Sequence, residues 1–111
     1  MNTKRHLWEI LVPHAFPDGK VIPVPYHRIW DEKVRKISGG LTIRKPEKGQ
    51  WVHPVSKGVI AERMIPVKVS GTRRQIERVC WMTAKYYDQE VVMAYRISEE
   101  VLMVHKDGTI E

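Results

Sequence analysis

The sequence predicts an α+β fold: one antiparallel sheet with two helices packed on one face. Three observations predict it. Two segments carry apolar residues at helical spacing, and between and around them lie short β-branched and aromatic runs. The order of these segments is strand, helix, strand pair, helix, strand pair, which pairs two β-α-β halves of similar length. The length of 111 residues then suits a single domain spanning 1–111, one able to bury about 65% of the surface its unfolded chain exposes.

The first strand is Leu7–Val12, six residues ended by Pro13. Phe16-Pro17-Asp18-Gly19 follows as a tight turn, since Pro presets φ, Asp caps its own turn and Gly tolerates positive φ. Val21–Pro25 holds Pro23 and Pro25 and reads as an extended lead-in. The first helix is expected just after Pro25. Tyr26, Trp30, Val34 and Ile37 form one apolar stripe, opposite Arg28, Glu32, Arg35 and Lys36. Ser38-Gly39-Gly40 stops the helix.

Leu41-Thr42-Ile43 starts the next strand, and Lys48-Gly49 is expected to turn into Gln50-Trp51-Val52, broken by Pro54. Ser56-Lys57-Gly58 is a further turn. The strand from about Glu62 to Val69 alternates, placing Ile65, Val67 and Val69 on the core side. Pro66 interrupts its ladder of donors, which implies a bulge or an edge left open. The second helix opens on Thr72 as N-cap with Gln75 three residues on, the spacing of a capping box. Its near face holds Ile76, Val79, Cys80, Thr83 and Tyr87; its far face holds Arg74, Arg78, Trp81 and Lys85. Two strands, Val91–Ile97 and Val101–His105, are expected as a hairpin across Ser98-Glu99-Glu100, with a loose tail from Asp107. This β-α-β-β-α-β-β order is the ferredoxin-like sandwich plan. The core is expected at Trp30, Val34, Ile37, Ile65, Val67, Ile76, Val79, Cys80 and Tyr87.

Composition narrows the function. Nineteen Lys+Arg against 13 Asp+Glu give a net charge of +6, which favours anionic partners at long range. One cysteine excludes a disulfide framework within the chain and a Cys-based zinc site, and it accords with a cytoplasmic location. No apolar run is long enough to span a membrane, and the basic start Met1–His6 lacks the apolar core of a signal peptide. His6, His14, His27, His53 and His105 show no metal-ligand spacing, and no nucleophile elbow, P-loop or dinucleotide fingerprint occurs. Ser38-Gly39-Gly40 lies at a helix C-terminus, where the dipole disfavours phosphate. Cys80 falls on a buried helix face, where a thiol is inert. No catalytic, cofactor or metal residue is therefore assigned, and no cofactor is expected.

Basic residues cluster over 28–48, seven against three acids, and again at Arg73, Arg74, Arg78 and Lys85. The aromatic signature of single-strand RNA readers is absent, so nucleic acid is the weaker partner reading. Trp81 is the oddest residue. It lies about 140° from Ile76 on its helix, among Arg74, Arg78 and Lys85, with Met82 beside it. Aromatics beside Arg are enriched at interface cores, so these five residues are the expected contact of a homo-oligomer. Such a tryptophan suits a natural interface and an introduced one alike. Stacking on the stems of its basic neighbours is the competing reading. The leading functional expectation is thus a non-enzymatic, self-associating domain, since ferredoxin-like sheets keep one bare face. The alternatives are a small enzyme or a protein binding an anionic small ligand or nucleotide, with a pocket lined by His27, Trp51 and Tyr95.

Pro17-Asp18-Gly19, Trp30 to Val34, Gly40-Leu41-Thr42, Gly49-Gln50-Trp51, Glu62 to Val69, Ile76 and Tyr86 to Val92 together resemble a pattern in a group of small uncharacterised bacterial proteins, a domain of unknown function. The resemblance spans most of residues 16–92. It implies the ferredoxin-like fold and supplies no catalytic residue. The chain departs from the pattern at Trp81, where periodicity asks for a polar residue.

Overall fold

In the computed structural model, which describes residues 4–110, the centre of the molecule is a pair of antiparallel strands, β1 (His6–Pro13) and β4 (Val59–Gly71). The expectations for Met1–Thr3 and for Glu111 fall outside the described residues. The chain order is β1, α1 (Val24–Ser38), β2 (Thr42–Ile43), β3 (Glu47–Val52), β4, α2 (Arg73–Tyr86) and β5 (Ala94–Ser98). All pairings are antiparallel. The sheet order is β2-β4-β1-β5, with β3 continuing β2 along the same edge of β4. This is the ferredoxin-like α+β fold.

Period two sorts the sheet into two faces. Ile10 pairs with Val67, Val12 with Ile65 and Trp8 with Val69, so these side chains share a face. Both helices cover that face. Ile10, Val12, Val67 and Val69 of the sheet pack with Ile22, with Trp30 and Val34 of α1, with Ile76 and Val79 of α2, and with Tyr87 just beyond it. Ile37, Ile65 and Cys80 are only half-buried at the rim. The Trp30 indole donates to Thr83 Oγ1 at 2.9 Å, so its one polar atom is satisfied inside the core.

The helix signals act as their chemistry requires. Thr72 and Gln75 form the reciprocal capping box. Gly39 closes α1 at φ 100, a conformation only glycine adopts cheaply. Helix α1 nevertheless begins at Val24, two residues before its expected start. Proline is tolerated in the first turn, where its missing donor has no helical acceptor, so Pro25 fits inside and Pro23 becomes the N-cap.

Two expected strand features and the reading of the tail are corrected. Gly49 is no turn: it lies inside β3, which pairs continuously with β4 from Glu47↔Met64 to Val52↔Val59. Val101–His105 forms no strand and no hairpin with β5; Val104 makes only an isolated bridge to Ile110. Ser98-Glu99-Glu100 lacks the glycine or asparagine that a tight hairpin needs at positive φ. The chain instead turns off the sheet edge, with Ser98 Oγ donating to the Glu100 carbonyl at 2.8 Å. The tail is also not loose. His105 N donates to Thr109 O at 2.7 Å, Gly108 takes φ 92, and Asp107 Oδ1 accepts from the Thr109 backbone and hydroxyl. The order is therefore β-α-β-β-β-α-β.

Pro66 is explained by its edge. The pairing of β4 with its outer neighbour slips by one residue between Ile43↔Val67 and Glu47↔Met64. Pro66 faces that slip, where no acceptor waits for an N–H, while its carbonyl accepts from Arg44 N at 2.9 Å. Its pairing with Leu11 of β1 stays in register.

Candidate functional site

The face of the sheet away from the helices carries a different chemistry. Leu7, Glu9 and Leu11 of β1, Met64 and Lys68 of β4, Tyr95 of β5 and Trp51 of β3 all point to it by register. Glu9 stands at its centre and is only 6% exposed. A buried carboxylate is costly unless its oxygens are paired. Here the Tyr95 hydroxyl donates to Oε2, and Arg44 Nη1 approaches Oε1 at 3.3 Å. Arg44 Nη2 also reaches Glu47 at 3.4 Å. The bond to Glu9 holds the Tyr95 hydroxyl above the usual tyrosine range, so Tyr95 stays a donor. Tyr95 and Arg44 come from the two edges of the sheet and close over Glu9 like a bracket.

Beyond the end of β1 the sheet narrows to two strands. Pairing of β1 with β4 stops at Pro13↔Met64, whereas β3 and β4 run on together to Val52↔Val59. The resulting arm stretches the molecule to 53 × 30 × 24 Å. Its radius of gyration is 15.4 Å, against roughly 13 Å expected of a compact domain of this length. The arm is closed by a loop in which His53 Nδ1 accepts from the backbone of Val55 and Ser56, a structural task for that imidazole. Its apolar side chains face water: Trp51 is 49% exposed, Val52 57%, Val59 69% and Val55 84%.

The expected ligand pocket does not form within the chain. His27 lies in the helix layer, its Nδ1 2.6 Å from the buried Tyr87 hydroxyl. Tyr95 is on the opposite face of the sheet and Trp51 is out on the arm. Strand parity and the sheet itself separate them. Burial, then the neighbouring His14, hold His27 below its ordinary value.

The five residues expected at an interface divide. Trp81 is 66% exposed, with Lys85 Nζ 5.0 Å from its ring centre. Arg74, Arg78 and Lys85 are exposed beside it. Met82 turns back and packs, half-buried, against the core, so it does not extend that patch. Cys80 is half-buried next to Glu77, and burial raises its thiol, as suits an inert cysteine. Part of the basic surface is neutralised locally by Glu32–Lys36 at 3.5 Å and Arg73–Glu77 at 3.1 Å. Among the described residues no group of three or more His, Cys, Asp or Glu gathers as a metal site, and no helix is long and apolar enough to cross a membrane.

Glu9 and Arg44 were missed in the sequence, although a signal existed. Glu9 interrupts the apolar run Leu7–Val12 in a strand central enough to lose its water.

No family model matches the chain, and neither does any curated protein. Solved structures do match in fold. A phage SAM lyase in complex with S-methyl-5'-thioadenosine superposes with a TM-score of 0.67 at 11% identity, covering 100% of this chain and 88% of that one. The periplasmic divalent cation tolerance protein CutA from Archaeoglobus fulgidus gives 0.63 at 11% identity, over 93% and 89%. The divalent cation tolerance protein CutA1 from Thermus thermophilus gives 0.62 at 11% identity, over 87% of each chain. At such identities the likeness shows the fold alone, and it agrees with the ferredoxin-like topology.

Proposed function

We propose that this protein is a self-associating domain whose contact is the β3–β4 arm together with the uncovered sheet face of a second copy. The observation that supports it is the arm. A two-stranded ribbon is marginal in water on its own, and three or more strands or a packed face are needed to hold one. This ribbon has an unpaired outer edge along the start of β4 and exposes Trp51, Val52 and Val59. A second copy offers what it lacks: an apolar sheet face around Leu11 and Met64, rimmed by Tyr95. The same proposal keeps Trp81, with Arg74, Arg78 and Lys85, as a further contact on the helix side, and includes membership of the group of small bacterial proteins with the Pro-Asp-Gly and Gly-Gln-Trp motifs.

The test is molar mass by sedimentation. The wild-type protein is expected well above the 13.0 kDa of one chain at high micromolar concentration. Trp51→Ser combined with Val59→Ser is expected to shift it towards the monomer, since buried aromatic anchors often contribute about 2 kcal/mol or more. A wild-type protein that stays at the monomer mass overturns the proposal.

A second reading is a binding protein for a small ligand such as the S-methyl-5'-thioadenosine carried by the phage SAM lyase. The superposition over the full chain supports it. A thermal midpoint unmoved by millimolar S-methyl-5'-thioadenosine would count against it.

A further inference from the structure

An open cleft of about 360 Å³ lies where the C-terminal turn of α1 meets the sheet, within the roughly 300–1,000 Å³ common for small-ligand sites. Leu7, Leu41 and Met103 supply its apolar wall; Arg5, Thr42, Lys68 and Ser70 supply its polar wall. Among the described residues no carboxylate lines it. Lys68 is half-buried and has no ion-pair partner among the described residues. Glu9 stands directly opposite it in register, where its oxygens are bonded by Arg44 and Tyr95. The ammonium is therefore half-buried without an ion pair among the described residues. A half-buried cation in that position is a recognition element for an anion.

The location at a helix C-terminus argues the other way, because that end carries a partial charge of about −0.5. Arg5 settles the sign. Its Nη2 donates to the Ser38 carbonyl at 2.8 Å and to the Ser70 carbonyl at 2.9 Å, and its Nε to Ser70 Oγ at 3.3 Å. A full positive charge thus sits on the helix end, and Lys68 adds another. Two side-chain cations thus line the cleft against the partial negative charge of one helix end. The Thr42 hydroxyl, on the strand partner of Lys68, adds a neutral donor.

We propose that this cleft binds a small organic anion: an apolar body against Leu7, Leu41 and Met103, carrying a phosphate or carboxylate group towards Lys68, Thr42 and Arg5. All of its lining comes from one chain, at the Leu7–Ser70 end of the open face, whereas the contact proposed above centres on Leu11 and Met64. The test is a 1H–15N NMR titration of the full chain with phenyl phosphate, benzoate and the neutral control benzyl alcohol. Phenyl phosphate or benzoate should produce saturable shifts confined to the amides of Gly39, Gly40, Thr42, Lys68 and Ser70. Whichever of the two binds more tightly identifies the anionic group. Benzyl alcohol should shift these amides little. Lys68→Gln keeps most of the stem and removes the charge, and should weaken binding by about tenfold. Thr42→Val is on an exposed position and should weaken it less while leaving the fold intact. Equal affinity in Lys68→Gln, equal shifts with benzyl alcohol, or shifts spread over the whole basic surface would each overturn the assignment.

Discussion

The two faces of this sheet are built on opposite rules. On the helix side the central strand positions Ile10, Val12, Val67 and Val69 are apolar, and the Trp30 indole is satisfied by Thr83; at the end of β1, His6 Nδ1 is buried without a hydrogen-bond partner among the described residues. On the other side the same strands present Glu9 and Lys68 at their middle, flanked by Leu7, Leu11 and Met64. The covered face follows from area: burying a large aliphatic or aromatic side chain is worth about 1.5–3 kcal/mol, and this face buries ten of them. The open face accepts a desolvated carboxylate, which burial of apolar area would never select. The difference separates two jobs. The helix side holds the fold, and the open side is the one that the proposed self-association would use.

The largest expected effect comes from attacking the covered face. Trp30 is 1% exposed and joins α1 to α2 through its indole. Trp30→Ala should cost about 3–5 kcal/mol, from the cavity and from the buried hydrogen bond that Thr83 Oγ1 would no longer accept, its own bond to the Val79 carbonyl remaining. Chemical denaturation measures this. A wild-type midpoint for the variant would mean that stability does not reside in the helix-side core. The sharper companion is the double exchange at Trp51 and Val59: it should change mass far more than the monomer's midpoint, the inverse of Trp30→Ala.

The covered face also has one titratable weak point. His27 Nδ1 meets the Tyr87 hydroxyl, which has no other acceptor among the described residues and so donates to the ring. Protonating His27 would turn Nδ1 into a donor and oblige the Tyr87 hydroxyl to turn its own proton away, while placing a charge in a partly buried place. Burial, with His14 nearby, keeps the folded value below the ordinary 6.5. A base whose folded value is depressed contributes stability in full above its unfolded value. That contribution is lost as pH falls from about 6.5 through the lower folded value. The denaturant midpoint should therefore fall on acidification from pH 7 towards pH 5, and less so in His27→Gln, whose amide oxygen can still accept from Tyr87. Identical pH slopes for the two proteins would show that His27 is not a source of the acid sensitivity.

The same contrast explains what could be read from the residues. The helix side was legible because area and periodicity decide it: the Tyr26–Trp30–Val34–Ile37 stripe, the Thr72/Gln75 cap and the Ile65–Val67–Val69 alternation each have one physical solution. The open side was not, because its features depend on which strands become neighbours. Glu9 turns into a paired, buried carboxylate only when Arg44 and Tyr95 arrive from the two sheet edges, 35 and 86 residues away along the chain. The expected pocket of His27, Trp51 and Tyr95 failed for the same reason: side-chain type suggested a cluster, and strand parity put its members on different faces. Pro66 marked an irregular edge correctly, but the slip that accommodates it lies in the neighbouring strand.

The smallest expected effect on stability is at Trp81, which belongs to neither face. Its phase on α2 turns it away from the sheet, and it is 66% exposed with Lys85 5.0 Å from the ring centre. An exposed cation–π pair contributes about 0.5–1 kcal/mol, and surface substitutions usually stay within about 0.5 kcal/mol. Trp81→Ala should therefore leave the thermal midpoint nearly in place. Its effect on mass is the informative part. If Trp81, Arg74 and Arg78 meet a second copy, the assembly should dissociate at a higher protein concentration than wild type, because an aromatic anchor is lost from a desolvated contact. Lys85→Met separates the two roles, since it removes the cation beside the ring and keeps the tryptophan. Unchanged mass in both variants would assign Trp81 to local stacking alone and leave association to the sheet side. A clear fall in the midpoint of Trp81→Ala, with mass unchanged, would instead make the indole part of the packing of α2.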